Sequence, residues 1–218
     1  GISDPDPLDY NVEAMAIAPS NAERIYLTVG NSFREATGSV LVSNDGGATW
    51  QRSPQRFVIA ANADWRTSGE RLAVDPSDPD VVLLGTRTEG LWRSTAGGQS
   101  LTRIDAVPAG TLPASGVVPT AGLPFDAEEG TDGRRWVVAR DPGQVWVVDG
   151  DSVSEVTPRD GRRDETVTVD PFDPNRAIVG GVAIGAGDLF RTSDGGANWD
   201  GIGVATECAA IPWLEQYP

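Results

Sequence analysis

One short pattern recurs along the chain and constrains its fold more than any other feature. Its first copy reads Val40-Leu-Val-Ser-Asn-Asp-Gly-Gly-Ala-Thr-Trp50, and related runs occupy 91–101 and 189–199. The Gly-Gly pairs begin at residues 46, 97 and 195, and these positions fit a period of about 50 residues. That period predicts a fourth copy near residue 146, where 145–155 retains the apolar strand and an Asp-Gly turn. Internal repeats of roughly 20–50 residues indicate a propeller, a solenoid or a similar array.

A second motif precedes each copy and completes a four-stranded unit. Short apolar strands end at Pro19, Pro76 and Pro171, and each is followed by a polar turn and another apolar run. Proline ends a strand because it has no N–H for the ladder, while Asp, Asn and Gly form the tight turns. The sequence of each repeat therefore predicts four short antiparallel strands, and four such strands make up one propeller blade.

We predict an all-β fold, a β-propeller of four-stranded antiparallel blades. The blades are expected at 11–55, 69–106, 119–158 and 164–204, with a C-terminal tail at 205–218. Residues 1–218 then form either a single propeller domain or part of a larger ring, for example one of about seven blades. An open ring would leave sheet edges for a second chain or a second copy to cover.

The recurring turn has the pattern Ser-x-Asp-x-Gly-x-Thr-Trp, which is known as an Asp box. Its Asp is expected to accept backbone N–H bonds inside the hairpin loop, its Gly to allow positive φ, and its Trp to pack across the turn. The second copy replaces Asp with Ala96 and Trp with Leu101, which favours a structural role over metal or ligand binding. The residues assigned this structural role are Ser43, Asp45, Gly47, Trp50, Asp194, Gly196 and Trp199.

Composition removes several classes of function. The net charge of −15 disfavours nucleic acid and acidic membrane surfaces as partners and suits a neutral polysaccharide or oligosaccharide. The chain has no His, so a Ser-His-Asp triad and a His-ligated zinc are excluded. We predict no metal and no cofactor, and any acid or base should be a carboxylate. No apolar run is long enough to span a membrane, and the N-terminus lacks the features of a signal peptide.

Longer runs than the turn carry a family resemblance. Asp boxes also occur in sialidases, sortilin-type receptors and photosystem assembly factors, so the turn alone does not discriminate between them. The runs Gly69-Glu-Arg-Leu-Ala-Val-Asp-Pro76 and Gly85-Thr-Arg-Thr-Glu-Gly-Leu-Trp-Arg-Ser94 are similar to a stretch of the family 74 glycoside hydrolases of xyloglucanase type. The segments 9–17 and 210–214 are similar to other parts of the N-terminal propeller of that family.

The resemblance implies two seven-bladed propellers with a cleft between them, cleavage of the β-1,4-glucan backbone of xyloglucan, and an extracellular location. The family has one catalytic Asp in each propeller, the first within a Thr-Asp-x-Gly-Gly motif. Neither has a counterpart in this sequence. The resemblance therefore implies an architecture and a substrate class but does not transfer the catalytic pair.

The connections between blades are the best candidates for a site, because loops on a rigid scaffold often carry function. The connection 61–70 interrupts the repeat and brings Asn, Asp, Trp and Arg together. Asp64 and Glu70 are the candidate catalytic carboxylates, since glycoside hydrolysis uses a pair of them. Trp65 is expected to stack on a sugar ring, and nearby polar groups to bind hydroxyls. The candidate substrate-binding residues are Asp9, Tyr10, Asn62, Trp65, Arg66 and Arg87.

Each candidate has a plainer alternative. The connection 61–70 would otherwise be solvated, with Trp65 capping the core. Arg87 and Glu89, between the inner strands of the second blade, would form a surface ion pair worth little. Two hypotheses about function stay open. The first is a carbohydrate-active protein resembling a xyloglucan-specific endo-β-1,4-glucanase, for which binding is better supported than catalysis. The alternative is a non-catalytic propeller that binds a protein or peptide.

Overall fold

The chain forms short antiparallel strands and no helix wherever the structure describes it. The computed structural model describes residues 11–30, 37–59, 72–86, 89–107, 125–129, 135–139, 144–158, 163–170, 172–183 and 186–202. These residues contain seventeen strands, β1 to β17, which pair into four sheets in chain order.

The first two sheets, blades 1 and 2, are antiparallel meanders. In each blade, every strand pairs with the one before it in the chain. Blade 1 also has a short additional strand, β5 (Phe57–Val58), that pairs with the start of β3. The strands of blade 1 are β1 (Asn11–Ala18), β2 (Asn21–Gly30), β3 (Thr37–Ser43) and β4 (Gln51–Arg52). Those of blade 2 are β6 (Leu72–Val74), β7 (Val82–Gly85), β8 (Leu91–Ser94) and β9 (Thr102–Arg103).

Blades 3 and 4 repeat the same meander. The strands of blade 3 are β10 (Phe125–Glu129), β11 (Arg135–Ala139), β12 (Gln144–Asp149) and β13 (Ser152–Glu155). Those of blade 4 are β14 (Arg163–Val169), β15 (Ala177–Ala183), β16 (Ala186–Thr192) and β17 (Asp200–Gly201). The prediction of an all-β chain with four propeller-type blades is confirmed.

The incomplete copy of the motif at 145–155 forms blade 3 in the same register as the other blades. After the outer hairpin of each blade, one backbone N–H returns to the third strand with an N···O distance of 2.8 Å. The donor and acceptor are Ser53 and Val40 in blade 1 and Val156 and Val145 in blade 3. The turn of blade 3 needs only Gly150, with φ of 56°, to reverse the chain.

The chain divides into two compact units. Unit 1 comprises Gly1–Arg66 with Glu70–Gly122 and contains blades 1 and 2. Unit 2 comprises Thr67–Gly69 with Leu123–Pro218 and contains blades 3 and 4. That residues 1–218 form a single propeller domain, or part of one, stays a prediction.

In unit 1, an apolar core joins one face of blade 1 to one face of blade 2. Blade 1 contributes what we call its seat face, which includes Ala14, Ala16, Ala18, Tyr26, Val40 and Val42. Blade 2 contributes its turn face, which includes Leu72, Val74, Val82, Leu84 and Leu101. The side chains of Leu72, Val82 and Leu84 are each 1% exposed. Burying such a side chain contributes roughly 1.5–3 kcal/mol, so this joint holds unit 1 together.

Unit 2 contains the same joint between blades 3 and 4. The seat face of blade 3 includes Val145, Val147 and Val156, and the turn face of blade 4 includes Val167, Val169, Ala177, Val179 and Trp199. Val167 corresponds to Leu72 and Val179 to Leu84, because each pair is joined by the same strand register. The same positions of the repeat therefore bury the same kind of side chain in both units.

Polar groups also cross the joint of unit 1. The hydroxyl of Tyr26 on blade 1 donates to the carbonyl of Pro79 on blade 2 at 2.5 Å. Arg24 donates to the hydroxyl of Tyr26 at 3.1 Å and forms an ion pair with Asp80 at 2.7 Å. Burial raises the pKa of Tyr26, although the neighbouring Arg24 opposes this shift. The phenol therefore acts as a neutral hydrogen-bond donor.

Candidate functional site

The predicted carbohydrate-site residues lie outside the described residues. Their side-chain geometry therefore does not test the predicted site, and the assignment of these residues stays a prediction. The residues concerned are Asp9, Tyr10, Asn62, Asp64, Trp65, Arg66, Glu70 and Arg87.

The described residues that flank these segments lie together at one edge of unit 1. Asn11, which follows Asp9 and Tyr10, pairs with Gly30 at the end of β2. Val58, shortly before the connection 61–70, pairs with Thr37 at the start of β3. Ile59 is packed so tightly against Gly30 that a Cβ there would clash with the Ile59 carbonyl. Three connections therefore leave blade 1 at the same edge: the one that leads into β1, the one between β2 and β3, and the one at 61–70.

Two connections of blade 2 also leave the sheet at this edge. Leu72, which follows the 61–70 connection, pairs with Leu84 near the end of β7. Thr86 and Gly90, which precede and follow Arg87 in the sequence, are held together because the Thr86 N–H and hydroxyl both donate to the Gly90 carbonyl. We call this edge of unit 1, defined by Asn11, Gly30, Ile59, Leu72 and Thr86, the loop edge.

Glu89 fastens the two blades at the loop edge. Its carboxylate accepts the backbone N–H of Val58 on blade 1 at 2.7 Å. Its carbonyl accepts the indole N–H of Trp92 at 3.0 Å, and that ring packs edge-on against Phe57 with centroids 5.3 Å apart. The interpretation of Glu89 as half of a weak surface pair with Arg87 stays a prediction, because Arg87 lies outside the described residues. No sequence signal indicated the contact with Val58, because the partner is a backbone group 31 residues away.

The first Gly-Gly turn, residues 43–50, is organised by Asp45. Its carboxylate accepts the Thr49 N–H at 2.8 Å and the Thr49 hydroxyl at 2.6 Å, and the Ser43 hydroxyl donates to it at 2.8 Å. The hydrogen bonds from Thr49, followed by that from Ser43, lower the pKa of Asp45 to about 2. The lone pairs of this carboxylate are committed to its own loop, which leaves it poorly suited to acid–base chemistry.

The third Gly-Gly turn, residues 192–199, has the same organisation. Asp194 accepts the Asn198 N–H at 2.9 Å and the Asn198 side-chain amide at 2.8 Å. These hydrogen bonds, together with one from Thr192, lower the pKa of Asp194. The two glycines of the turn have positive φ values of 73° and 87°, which favour glycine.

A hydroxyl at the start of the turn is common to all three copies. Ser43, Ser94 and Thr192 each accept the N–H of the second glycine, at distances of 2.8, 2.9 and 3.0 Å. Ser94 thereby forms the second turn, residues 94–101, without an Asp. Sequence reasoning gave Ser43 a structural role but assigned none to Ser94 or Thr192, which hold the same position in the other two Gly-Gly turns.

The two turn tryptophans bond differently. The Trp50 indole N–H donates to the Gly47 carbonyl of its own turn at 3.0 Å. The Trp199 indole N–H instead donates to the Val156 carbonyl on blade 3 at 2.7 Å. Of the tryptophans in β8 and β12, Trp92 is half-buried and Trp146 is buried.

Among the described residues, no three His, Cys, Asp or Glu side chains are grouped to hold a metal ion. No helix in the described part of the chain is long and apolar enough to cross a membrane.

Comparison with known proteins agrees with the resemblance seen in the sequence. No protein-family model matches the chain. The xyloglucanase Xgh74A of Acetivibrio thermocellus is 30% identical over 198 residues, which are 88% of this chain and 20% of that protein. A xyloglucanase of a Paenibacillus species is 32% identical over 201 residues, 89% of this chain and 17% of that protein. The chain thus spans about one fifth of the length of these curated relatives.

A solved structure supports the fold. The crystal structure of an ancestral GH74 enzyme superimposes with a TM-score of 0.61 at 19% identity, over 95% of this chain and 26% of that one. At that identity the likeness shows the fold alone. Over most of its length, the chain resembles a part of a family 74 glycoside hydrolase of xyloglucanase type.

Proposed function

We propose that this chain is part of a carbohydrate-active protein that binds a neutral β-1,4-glucan of the xyloglucan type at the loop edge of unit 1. The observation that carries the proposal is the convergence of the segments bearing the candidate residues. Their described neighbours Asn11, Ile59, Leu72 and Thr86 meet at that edge, although the sequence separates them widely. The similarity to xyloglucanases supports the substrate class.

The proposed division of labour follows sugar chemistry. Trp65 supplies an apolar face for a pyranose ring, and Asn62, Arg66 and Arg87 bond to hydroxyls, with Asp9 and Tyr10 completing the surface. Such platforms combine a rigid aromatic face with a few placed polar groups. We further propose that Asp64 and Glu70 are the carboxylates of any hydrolytic step, one donating a proton to the leaving oxygen and the other activating water.

Two further elements belong to the proposal. The Gly-Gly turns are Asp boxes with a structural role, because Asp45 and Asp194 direct their carboxylates into their own loops. The protein acts outside the cell, because a polysaccharide of this class is too large to cross a membrane. The acidic surface suits this substrate, since a neutral glycan is not repelled by a net charge of −15.

Binding is tested by titrating the chain with xyloglucan oligosaccharides while following tryptophan fluorescence. Trp65→Ala should abolish the response. Phe172→Ala is the matched control, because Phe172 is 78% exposed in unit 2 and should be replaceable without effect. A wild-type chain that gives no response would overturn the proposal and favour the binding of a protein or peptide.

Hydrolysis is tested separately by the release of reducing ends. Asp64→Asn and Glu70→Gln should each remove any activity while leaving binding in place. Asp105→Asn is the control, since the Asp105 side chain is 85% exposed and belongs to no candidate site. Binding without release of reducing ends in the wild type would retain the binding role and overturn the assignment of Asp64 and Glu70 as catalytic.

A further inference from the structure

Glu89 makes three hydrogen bonds where the two blades of unit 1 meet. Its carboxylate accepts the backbone N–H of Val58 at 2.7 Å, its own N–H donates to the Thr86 hydroxyl at 3.0 Å, and its carbonyl accepts the indole N–H of Trp92 at 3.0 Å. The first bond crosses from blade 2 to blade 1, while the other two fix the backbone of Glu89 on blade 2. Glu89 thereby links the sheet of blade 1 to the part of blade 2 that carries Arg87, two residues before it in the sequence.

Val58 lies in the last anchored stretch of blade 1 before the 61–70 connection. Its strand β5 pairs with the start of β3, and its neighbours Phe57 and Ile59 are 2% and 3% exposed. The chain is therefore held in place up to Ile59, directly before the connection begins. Because Glu89 holds Val58, it fixes the points from which the two candidate segments leave blades 1 and 2 relative to each other.

The repeat itself does not require this arrangement. In blade 4 the ladder between the second and third strands continues to the pair Ala183 and Ala186. In blade 2 the last pair of the equivalent ladder among the described residues is Gly85 with Leu91, three pairs earlier in the shared register. A blade thus forms without the arrangement that brings Glu89 to its neighbour. A departure from the repeat at an edge where connections leave the sheets indicates a role in function.

Two features make the link of Glu89 to blade 1 a firm one. The bond to Val58 is charge-assisted and lies beside a half-buried side chain, so it is stronger and less screened than an exposed neutral bond. Next to it, the ring of Phe57 on blade 1 packs edge-on against that of Trp92 on blade 2, with centroids 5.3 Å apart. The polar and the aromatic contact together oppose sliding of one blade along the other at the loop edge.

We propose that Glu89 is a positioning residue of the loop edge, which aligns the 61–70 connection with Arg87 so that both contact the same glucan chain. This inference rests on the proposed function of the loop edge. Glu89 acts through Trp65 and Arg87, and does not itself bind the sugar. Without its bond to Val58 the two segments adopt other arrangements, and the apparent affinity falls with the fraction of chains in which they are aligned.

The test compares two variants that each remove a side chain bridging blades 1 and 2. Glu89→Ala removes the bond to Val58. Gln55→Ala is the matched control, because the Gln55 amide donates to the Leu101 carbonyl at 3.1 Å and accepts the Leu101 N–H at 2.7 Å. That bridge ends on the Gly-Gly turn at the other end of β8, away from the loop edge. Both variants should lower the melting temperature.

The affinity for xyloglucan oligosaccharides separates the two roles when it is measured where circular dichroism shows every variant folded. Glu89→Ala should weaken binding about tenfold, as expected for one lost charge-assisted hydrogen bond, and Gln55→Ala by less than about twofold. Glu89→Gln keeps an oxygen that accepts the Val58 N–H, so its affinity should stay within about threefold of the wild type. Arg87→Ala should weaken binding less in the Glu89→Ala background than alone, because the two residues act as a unit.

Hydrogen exchange of the free chain adds a readout that needs no sugar. Amides of 57–70 and 86–92 should exchange faster in Glu89→Ala but not in Gln55→Ala. A wild type that binds no oligosaccharide overturns the proposed function, and this inference with it. If the wild type binds, equal losses in Glu89→Ala and Gln55→Ala, or unchanged exchange in Glu89→Ala, overturn the positioning role alone. A Glu89→Gln variant as weak as Glu89→Ala does so as well, since the carboxylate then acts on the sugar directly.

Discussion

Alanine at Gly196 should destabilise unit 2 far more than alanine at other glycines with positive φ. Gly196 has a φ of 87°, and a Cβ placed on it would lie 2.6 Å from the Cβ of Val156 on blade 3, closer than real Cβ contacts come. The left-handed backbone alone costs an alanine roughly 1–2 kcal/mol. Overpacking of the joint adds about 1–3 kcal/mol, so Gly196→Ala should cost about 2–5 kcal/mol in total.

Other glycines of the repeat separate these two contributions. Gly150 has a φ of 56°, and a Cβ placed on it would meet nothing within 4 Å. Gly150→Ala should therefore lower the free energy of unfolding only by the backbone component, about 1–2 kcal/mol. Gly98 lies between the extremes, because its Cβ would lie 3.0 Å from Val42 and 3.3 Å from Tyr26. The expected order of destabilisation is therefore Gly196→Ala, then Gly98→Ala, then Gly150→Ala.

Urea unfolding followed by circular dichroism and tryptophan fluorescence measures the series. A double-mutant cycle with Val156→Ala tests the cause, because removing the two methyl groups near the new Cβ should recover about 0.5 kcal/mol or more. The two probes also show whether the units unfold together, which decides whether one free energy describes the transition. Equal midpoints for Gly196→Ala and Gly150→Ala would refute the idea that this glycine is required by the joint.

Three further predictions concern named hydrogen bonds. Tyr26→Phe removes the hydroxyl that donates to the Pro79 carbonyl and should lower the free energy of unfolding by about 1–2 kcal/mol in urea titrations. Glu89→Ala leaves the Val58 N–H without its acceptor and should lower the melting temperature, whereas Glu89→Gln, which keeps an acceptor, should lower it less. The folded-state pKa of Asp45, about 2, lies below the ordinary value of 3.8 for an aspartate. Its stabilisation is therefore complete above about pH 4 and is lost as the pH falls towards 2, so wild type should lose stability faster than Asp45→Asn in acid melts.

Much of the fold follows from sequence-local physics. The period of the Gly-Gly pairs predicted four blades, including a third blade whose turn retains only Asp-Gly, and all four form with the expected strands. Hairpin turns depend on residues within a few positions of one another, as the hydrogen bonds from Thr49 to Asp45 illustrate. Sequence spacing shows such contacts directly. Short apolar runs that end at proline likewise predicted strands, because proline has no N–H to continue the ladder.

The candidate site was less accessible to sequence reasoning. Irregular connections drew attention to 61–70, but only strand pairing shows that Asn11, Ile59 and Leu72 bring their neighbouring segments to one edge of unit 1. The role of Glu89 was missed because a carboxylate that accepts a distant backbone N–H has no signature in the sequence.

Trp50 and Trp199 show which contacts local sequence determines and which depend on tertiary structure. Both close the same motif, and the motif by itself determines a tight turn with glycines at positive φ. Yet Trp50 bonds within its turn, while Trp199 bonds to blade 3. The difference arises because the turn face of blade 4 packs on a neighbouring blade, whereas the turn face of blade 1 leaves Met15 and Ile17 exposed. Local sequence determines the turns and strands, since their hydrogen bonds close within the repeat. Which faces become core is decided only by packing between blades, since burial depends on what another part of the fold brings against them.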